Sequence, residues 1–277
     1  MSVFQVTASR AARILGRESW VIRRARPAYE SFLNLLNWSS GERGILWSIN
    51  GVACRVDPHH RHQFAQEYEA PVAAFLRSRV KPGAVCLDVG ANVGVYVLQF
   101  AYWSRPTGRV VAFEPNPSAR NILQRHVQLN GLTERVQVIP AAVGGATGKA
   151  VLYAAGTDGM SRLGAPNAAL ADRVTSITVP IVTLDGYCET EGLIPDWLFI
   201  DIEGFEIAAL AGARELIKSR RKNLGIIVEM HPNVWASADT TRDKAETCLA
   251  ALGLHTVPLT GQADPLSDHG LVYLAHD

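Results

Sequence analysis

Short, almost wholly apolar runs recur along the second two-thirds of the chain, at 85–89, 109–113, 136–140, 196–202 and 224–230. Runs of that length, apolar on both faces, read as strands buried in a parallel sheet. Between them, over 93–103, 117–130, 204–220 and 239–252, apolar positions space out at helical intervals. This alternation predicts an α/β fold with helices on both faces of a mostly parallel sheet. The last two runs, 255–259 and 270–275, are joined by the polar stretch 261–268 and read as an antiparallel pair. Upstream, 8–37 has a helical pattern, and two apolar stretches meet at Asn50-Gly51, a hairpin-turn dipeptide. The spacing of Phe64, Tyr68, Val72, Phe75 and Leu76 predicts a helix over 63–80, ending at Lys81-Pro82-Gly83. Regularity lapses between 140 and 184, where 178–182 reads as a strand and 156–167 is too small and polar for the core. These elements divide the chain into an N-terminal helical and hairpin extension, 1–62, and one α/β domain, 63–277.

The junction after the first core strand narrows the chemistry. Val-Cys-Leu-Asp-Val-Gly-Ala-Asn-Val-Gly, 85–94, puts Asp88 at a strand end before a turn of small residues, where backbone can approach a ligand closely. The next strand closes on Glu114, the position from which a carboxylate holds a ribose diol in nucleotide folds. A dinucleotide fingerprint needs glycine where Asn92 and Val95 stand, so that pattern fails twice. A pyrophosphate wants backbone amides and no carboxylate beside it, whereas an ammonium group wants an acid. S-adenosylmethionine carries an ammonium and a sulfonium and no phosphate, so Asp88 selects it over NAD.

Charge and cysteine content remove other classes. Twenty-seven basic and 26 acidic residues give a formal charge of +1, with no global pull toward nucleic acid or anionic membrane. Cys54, Cys86, Cys188 and Cys248 are scattered without a zinc spacing and are expected to be reduced. No apolar stretch approaches the roughly 20 residues of a membrane span. The start, with Arg10, Arg13, Arg17, Arg23, Arg24 and Arg26, has no continuous apolar segment of a signal peptide. The cytoplasm is the expected location, and this arginine-rich start, short of strong apolar anchors, reads as a solvated helix face or a frayed terminus, with an amphipathic helix touching a membrane or a partner as the alternative.

Val-Cys-Leu-Asp-Val-Gly-Ala-Asn-Val-Gly, Phe-Glu-Pro-Asn-Pro, Phe-Ile-Asp-Ile-Glu-Gly-Phe-Glu and Glu-Met-His-Pro occur in that order between about 68 and 232. Together they resemble the FkbM family of methyltransferases. The resemblance implies the class I, Rossmann-like fold: a seven-stranded, mostly parallel sheet with the last strand inserted antiparallel. It implies S-adenosylmethionine as cofactor, and a hydroxyl of a sugar, glycolipid or polyketide-type small molecule as acceptor. Carried onto this chain, Asp88, Gly90, Asn92 and Gly94 surround the methionine end, and Glu114 accepts from the ribose. Asn116 and Ala142 flank the adenine, and Asp201 borders the cofactor. One departure is visible: many class I enzymes hold the adenine amine with an acid or amide after the third core strand. Here that stretch is Pro140-Ala141-Ala142-Val143, so adenine would rest on backbone groups and apolar contact.

Methyl transfer to a hydroxyl is an in-line displacement, and the alcohol must lose its proton to a base or beside a metal. Asp201 and Glu203, two apart at one strand end, and Glu229 and His231, two apart at the next, are the candidates. His231 has the unperturbed pKa closest to neutrality. Asp201 and Glu229 are also the candidates for a divalent cation, which oxygen ligands would make magnesium, calcium or manganese rather than zinc. His59, His60 and His62, beside Asp57-Pro58, read as an exposed loop rather than a metal cluster. Gly159-Met160-Ser161-Arg162 reads as a rim over the cofactor, and Trp235 and Tyr68 as sugar-ring walls or as core. Two other readings stand beside the small-molecule enzyme: a non-catalytic S-adenosylmethionine-binding scaffold, and a nucleic-acid methyltransferase. The acids of Asp201-Ile202-Glu203 would repel phosphates and count against the second.

Overall fold

The computed structural model of the chain describes residues 20–39, 41–157, 159, 161–164 and 174–277. Arg10, Arg13 and Arg17 lie outside the described residues. Helix α1 (Trp20–Ser39) comes first. The hairpin β1 (Ile45–Ile49) and β2 (Val52–Val56) then turns at Asn50 and Gly51, both at positive φ, with Ile49 opposite Val52. Ile49, Cys54 and Val56 pack with Phe64, Val93, Val95 and Leu98.

The helix expected over 63–80 is shorter: α2 spans Ala70–Arg77. Backbone upstream of it bonds to the hairpin turn instead of to its own next turn. Asn50 N donates to Gln66 O, Asn50 Nδ2 to Tyr68 O, and Tyr68 N to Asn50 Oδ1. Glu69 then turns left-handed at φ 45° and Pro71 opens the helix.

From there the expected alternation follows: β3 (Val85–Val89), α3 (Val95–Trp103), β4 (Arg109–Phe113), α4 (Pro117–Leu129) and β5 (Val136–Ile139). Next comes a segment of which the sequence-based expectation held only the strand at 178–182. β6 (Ala142–Val143), β7 (Gly148–Ala154), β8 (Arg162–Leu163) and β9 (Thr175–Val182) form a separate four-stranded sheet in the order β6-β9-β7-β8. Its apolar positions are few and one-sided, with Leu152, Leu163 and Val179 buried. Helix α5 (Leu184–Glu191) returns the chain to β10 (Trp197–Ile200).

The single helix expected over 204–220 is two, α6 (Glu206–Ala211) and α7 (Arg214–Arg220). They part at Gly212, where a Cβ would lie 2.2 Å from the carbonyl oxygen of Gly144. β11 (Gly225–Met230), α8 (Arg242–Leu252), β12 (Leu254–Pro258) and β13 (Gly270–His276) complete the chain. The main sheet runs β12-β13-β11-β10-β3-β4-β5. Pairs from β11 to β5 are parallel, while β13 lies antiparallel to both neighbours. Leaving β3, the chain first builds outward through β4 and β5, then crosses back to β10 and β11. The strand order therefore reverses between β3 and β10, which is where open α/β sheets place their ligands.

Candidate active site

Four acids sit at the carboxyl ends of four adjacent strands: Glu114 after β4, Asp88 in β3, Asp201 after β10 and Glu229 in β11. Asp88 pairs in register with Phe199 and Ala112 and is 2% exposed. Its Oδ2 is buried without a hydrogen-bond partner. Burial pushes its carboxyl up to about 8, and the nearby charge of Glu114 adds to the shift. An unpartnered buried acid is costly unless a donor arrives.

The turn after β3 is built by close contact. Gly90 stands at φ +88°, and a Cβ there would lie 1.8 Å from the carbonyl oxygen of Asp201. Gly94 stands at φ +96°, with Leu123 Cδ1 2.5 Å from its would-be Cβ. Asn92, left-handed at φ 45°, donates its backbone N–H to Glu114 Oε2 at 2.7 Å. Glu114 Oε1 accepts from Asn116 N at 2.8 Å. Each oxygen thus holds one backbone amide and keeps a lone pair for a further donor. Burial lifts the Glu114 carboxyl to about 7 against the opposing pull of those two amides.

The cleft over these ends is lined by Gly90, Asn92, Glu114, Asn116, Ala142, Asp201 and Glu203, among others. Ala141, Ala142, Val143, Leu152, Leu163 and Phe205 supply an apolar wall. Asn116 is committed at both ends of its amide. Its Oδ1 caps α4 by accepting from Ser118 N, and its Nδ2 donates to Gly156 O and Ser161 Oγ. It therefore ties the small sheet to the cleft. Of the expected rim, Gly159, Ser161 and Arg162 line the cleft, and Met160 lies outside the described residues.

Extended geometry does not continue from Asp201 to Glu203, because β10 ends at Ile200 and Gly204 turns at φ +93°. Asp201 faces the cleft, and burial together with the charge of Glu229 pushes its carboxyl well up. Glu203 instead accepts from Arg162 Nε and Nη2 at 3.1 and 2.9 Å. Glu206, the last residue of the Phe-Ile-Asp-Ile-Glu-Gly-Phe-Glu block, is not among the candidates that the sequence singles out. It is fully buried, with Oε1 accepting from His231 Nδ1 at 2.7 Å and from Gly204 N, and Oε2 from Trp235 Nε1. Trp235 is therefore core and not a wall of the cleft. Burial lowers the His231 pKa, but the hydrogen bond and charge of Glu206 outweigh it, and the net direction is upward. Glu229 lies 3.0 Å from His269 Nε2, an imidazole not singled out in the sequence. His59 is held by Asp57 and Asn34.

Residues 88–249, more than half of the chain, match the family described as the methyltransferase FkbM domain. The chain belongs to the FkbM methyltransferase family. No curated protein matches it. Three solved structures are similar to this FkbM family member at low identity. Methyltransferase FkbM from Methylobacillus flagellatus KT is 18% identical, with a TM-score of 0.45. The match covers 69% of this chain and 43% of that one, so the chain spans under half of that protein's length. Fibrillarin from Aeropyrum pernix, in complex with natively bound S-adenosyl-L-methionine, is 16% identical over 84% of this chain and 82% of that one, at 0.42. A SAM-dependent O-methyltransferase from Thermotoga maritima is 13% identical over 79% and 70%, at 0.43. Among the described residues of this FkbM protein, no helix is long and apolar enough to cross a membrane. Cys54, Cys86, Cys188 and Cys248 are free.

Proposed function

We propose that the chain is an S-adenosylmethionine-dependent O-methyltransferase acting on a hydroxyl of a sugar, glycolipid or polyketide-type small molecule. The observation that carries this reading is the unpartnered buried oxygen of Asp88 beside the glycine turn. A cationic amino-acid head group supplies the donor that oxygen lacks, and a pyrophosphate would add charge of the wrong sign. The acids Asp88, Glu114 and Asp201 all have carboxyls raised by burial, the state expected of a cleft awaiting positive charge.

Glu114 keeps one lone pair per oxygen for the ribose hydroxyls, and the wall from Ala141 to Val143 fits a flat, apolar-faced base. Gly90 lets the turn close on the Asp201 carbonyl and Gly94 lets it close on Leu123, which shapes the backbone proposed to meet the methionine end. When bound, S-adenosylmethionine supplies a methyl carbon that passes to the acceptor oxygen while the carbon–sulfur pair stays on sulfur. The chain's own task is to place the hydroxyl in line and remove its proton. Asp201, Glu229 and His231 gather where β10 and β11 end and serve that step. Glu203 holds Arg162 on the rim through Oε2.

The test is methyl transfer itself. Incubation with methyl-labelled S-adenosylmethionine and a panel of hydroxylated sugars, glycolipids and polyketides should yield an ether-linked labelled product. Binding of the cofactor with no transfer to any hydroxyl, and transfer to an amine or to RNA instead, would contradict the reading.

A further inference from the structure

His269, which the proposed methyl transfer does not use, completes a cluster with two residues that it does, and a bound metal there would be the means by which those two act on the hydroxyl proton. Glu229, in the last parallel strand, His231, just past its end, and His269, just before β13, each offer one donor atom, and these lie within 4.8 Å of one another. The sheet builds this arrangement. Met230 pairs with Gly270 across the antiparallel β11–β13 ladder, so His231 and His269 flank that pair as the next cross-strand partners. Their rings stand 4.7 Å apart, centre to centre. Glu229 is two residues before His231 and faces the same side.

The geometry points to a divalent transition-metal site made by Glu229, His231 and His269 where β11 and β13 meet. Three features support it. First, the His231 tautomer is fixed: Nδ1–H donates to the buried Glu206, leaving Nε2 with the lone pair. Metal-binding histidines are oriented by such a carboxylate on their other nitrogen. Second, Glu206 is itself fixed by Trp235 Nε1 and Gly204 N, so the imidazole is held rather than merely placed. Third, two imidazoles and one carboxylate suit zinc, cobalt, iron or manganese, whereas the all-oxygen set expected for magnesium is not what the fold assembles. Three protein ligands leave positions open, as sites that bind substrate do. The metal site does not rest on the proposed O-methyl transfer.

The test uses the full chain, freed of metal by chelation and titrated with cobalt(II), followed by calorimetry and by the visible absorption that imidazole ligation gives. One cobalt per chain is expected. His269→Ala, which changes a half-exposed side chain and should fold, is expected to weaken binding by at least about tenfold. The same variant should bind S-adenosylmethionine like the parent. No saturable cobalt uptake by the parent, or unchanged uptake by His269→Ala, would overturn the site. Cobalt binding with no S-adenosylmethionine binding would uphold the site and sink the proposed methyl donor, so the two readings fail separately.

Discussion

Asp88 shows how one atom constrains a ligand. Its carboxylate sits inside the sheet, without the donor that a buried oxygen requires, and nothing in the turn from Gly90 to Gly94 satisfies it. Replacing it with Asn, which keeps the shape and removes the charge, should weaken S-adenosylmethionine binding by about 1.5–3 kcal/mol, the scale of a hydrogen bond to a charged group. Calorimetric titration checks this, and unchanged affinity would mean the ammonium group lies elsewhere. Glu114 has a second duty that the sequence did not disclose. Because it accepts from the amides of Asn92 and Asn116, Glu114→Ala should lower stability by about 1–3 kcal/mol for each amide left unpaired, besides weakening the cofactor. Thermal unfolding separates the two effects. Asp88 and Glu114 were legible because strand ends and glycine turns leave a pattern in sequence. Glu206 was not, since its role depends on His231 and Trp235, 25 and 29 positions away along the chain.

At the level of elements, the strands of the main sheet and their order of charge were readable from short apolar runs, because burial on both faces leaves no alternation to misread. Helix ends were less so. The pattern over 204–220 looks continuous, yet the approach of the Gly144 carbonyl requires a residue without a side chain at Gly212. In an ordinary exposed helix a Gly→Ala change stabilises by roughly 0.5–1 kcal/mol. Here Gly212→Ala should lower the melting temperature instead, and a rise would show that α6 and α7 are not held apart by that contact. Of the small sheet, β9 was legible at 178–182, and β6 to β8 went unseen for a different reason. Gly148 to Ala154 buries mainly Leu152, so the stretch lacks both the apolar run of a core strand and a clear two-residue rhythm. Its contribution is local: Ser161 and Gly156 hold the Asn116 amide at the cleft edge.

For the whole molecule, the raised carboxyls make a statement about pH. Asp88 at about 8, Glu114 at about 7 and Glu69 at about 7 are all lifted first by burial. Each is more readily protonated folded than unfolded, so the ligand-free protein binds extra protons between the unfolded carboxylate range and these values. Their contribution to stability is therefore full below about pH 4 and is lost as pH rises through about 7 to 8. A cationic ligand reverses the preference at Asp88 by favouring its ionised form. The melting-temperature gain from saturating S-adenosylmethionine should thus be larger at about pH 8.5 than at about pH 5.5. An equal or opposite difference would mean that Asp88 does not meet positive charge. The most direct measurement is calorimetric titration of the full chain, in parallel, with S-adenosylmethionine and with NADH. Saturable heat with the sulfonium compound alone, diminished in Asp88→Asn, is the predicted result; saturation by NADH and none by S-adenosylmethionine would contradict it.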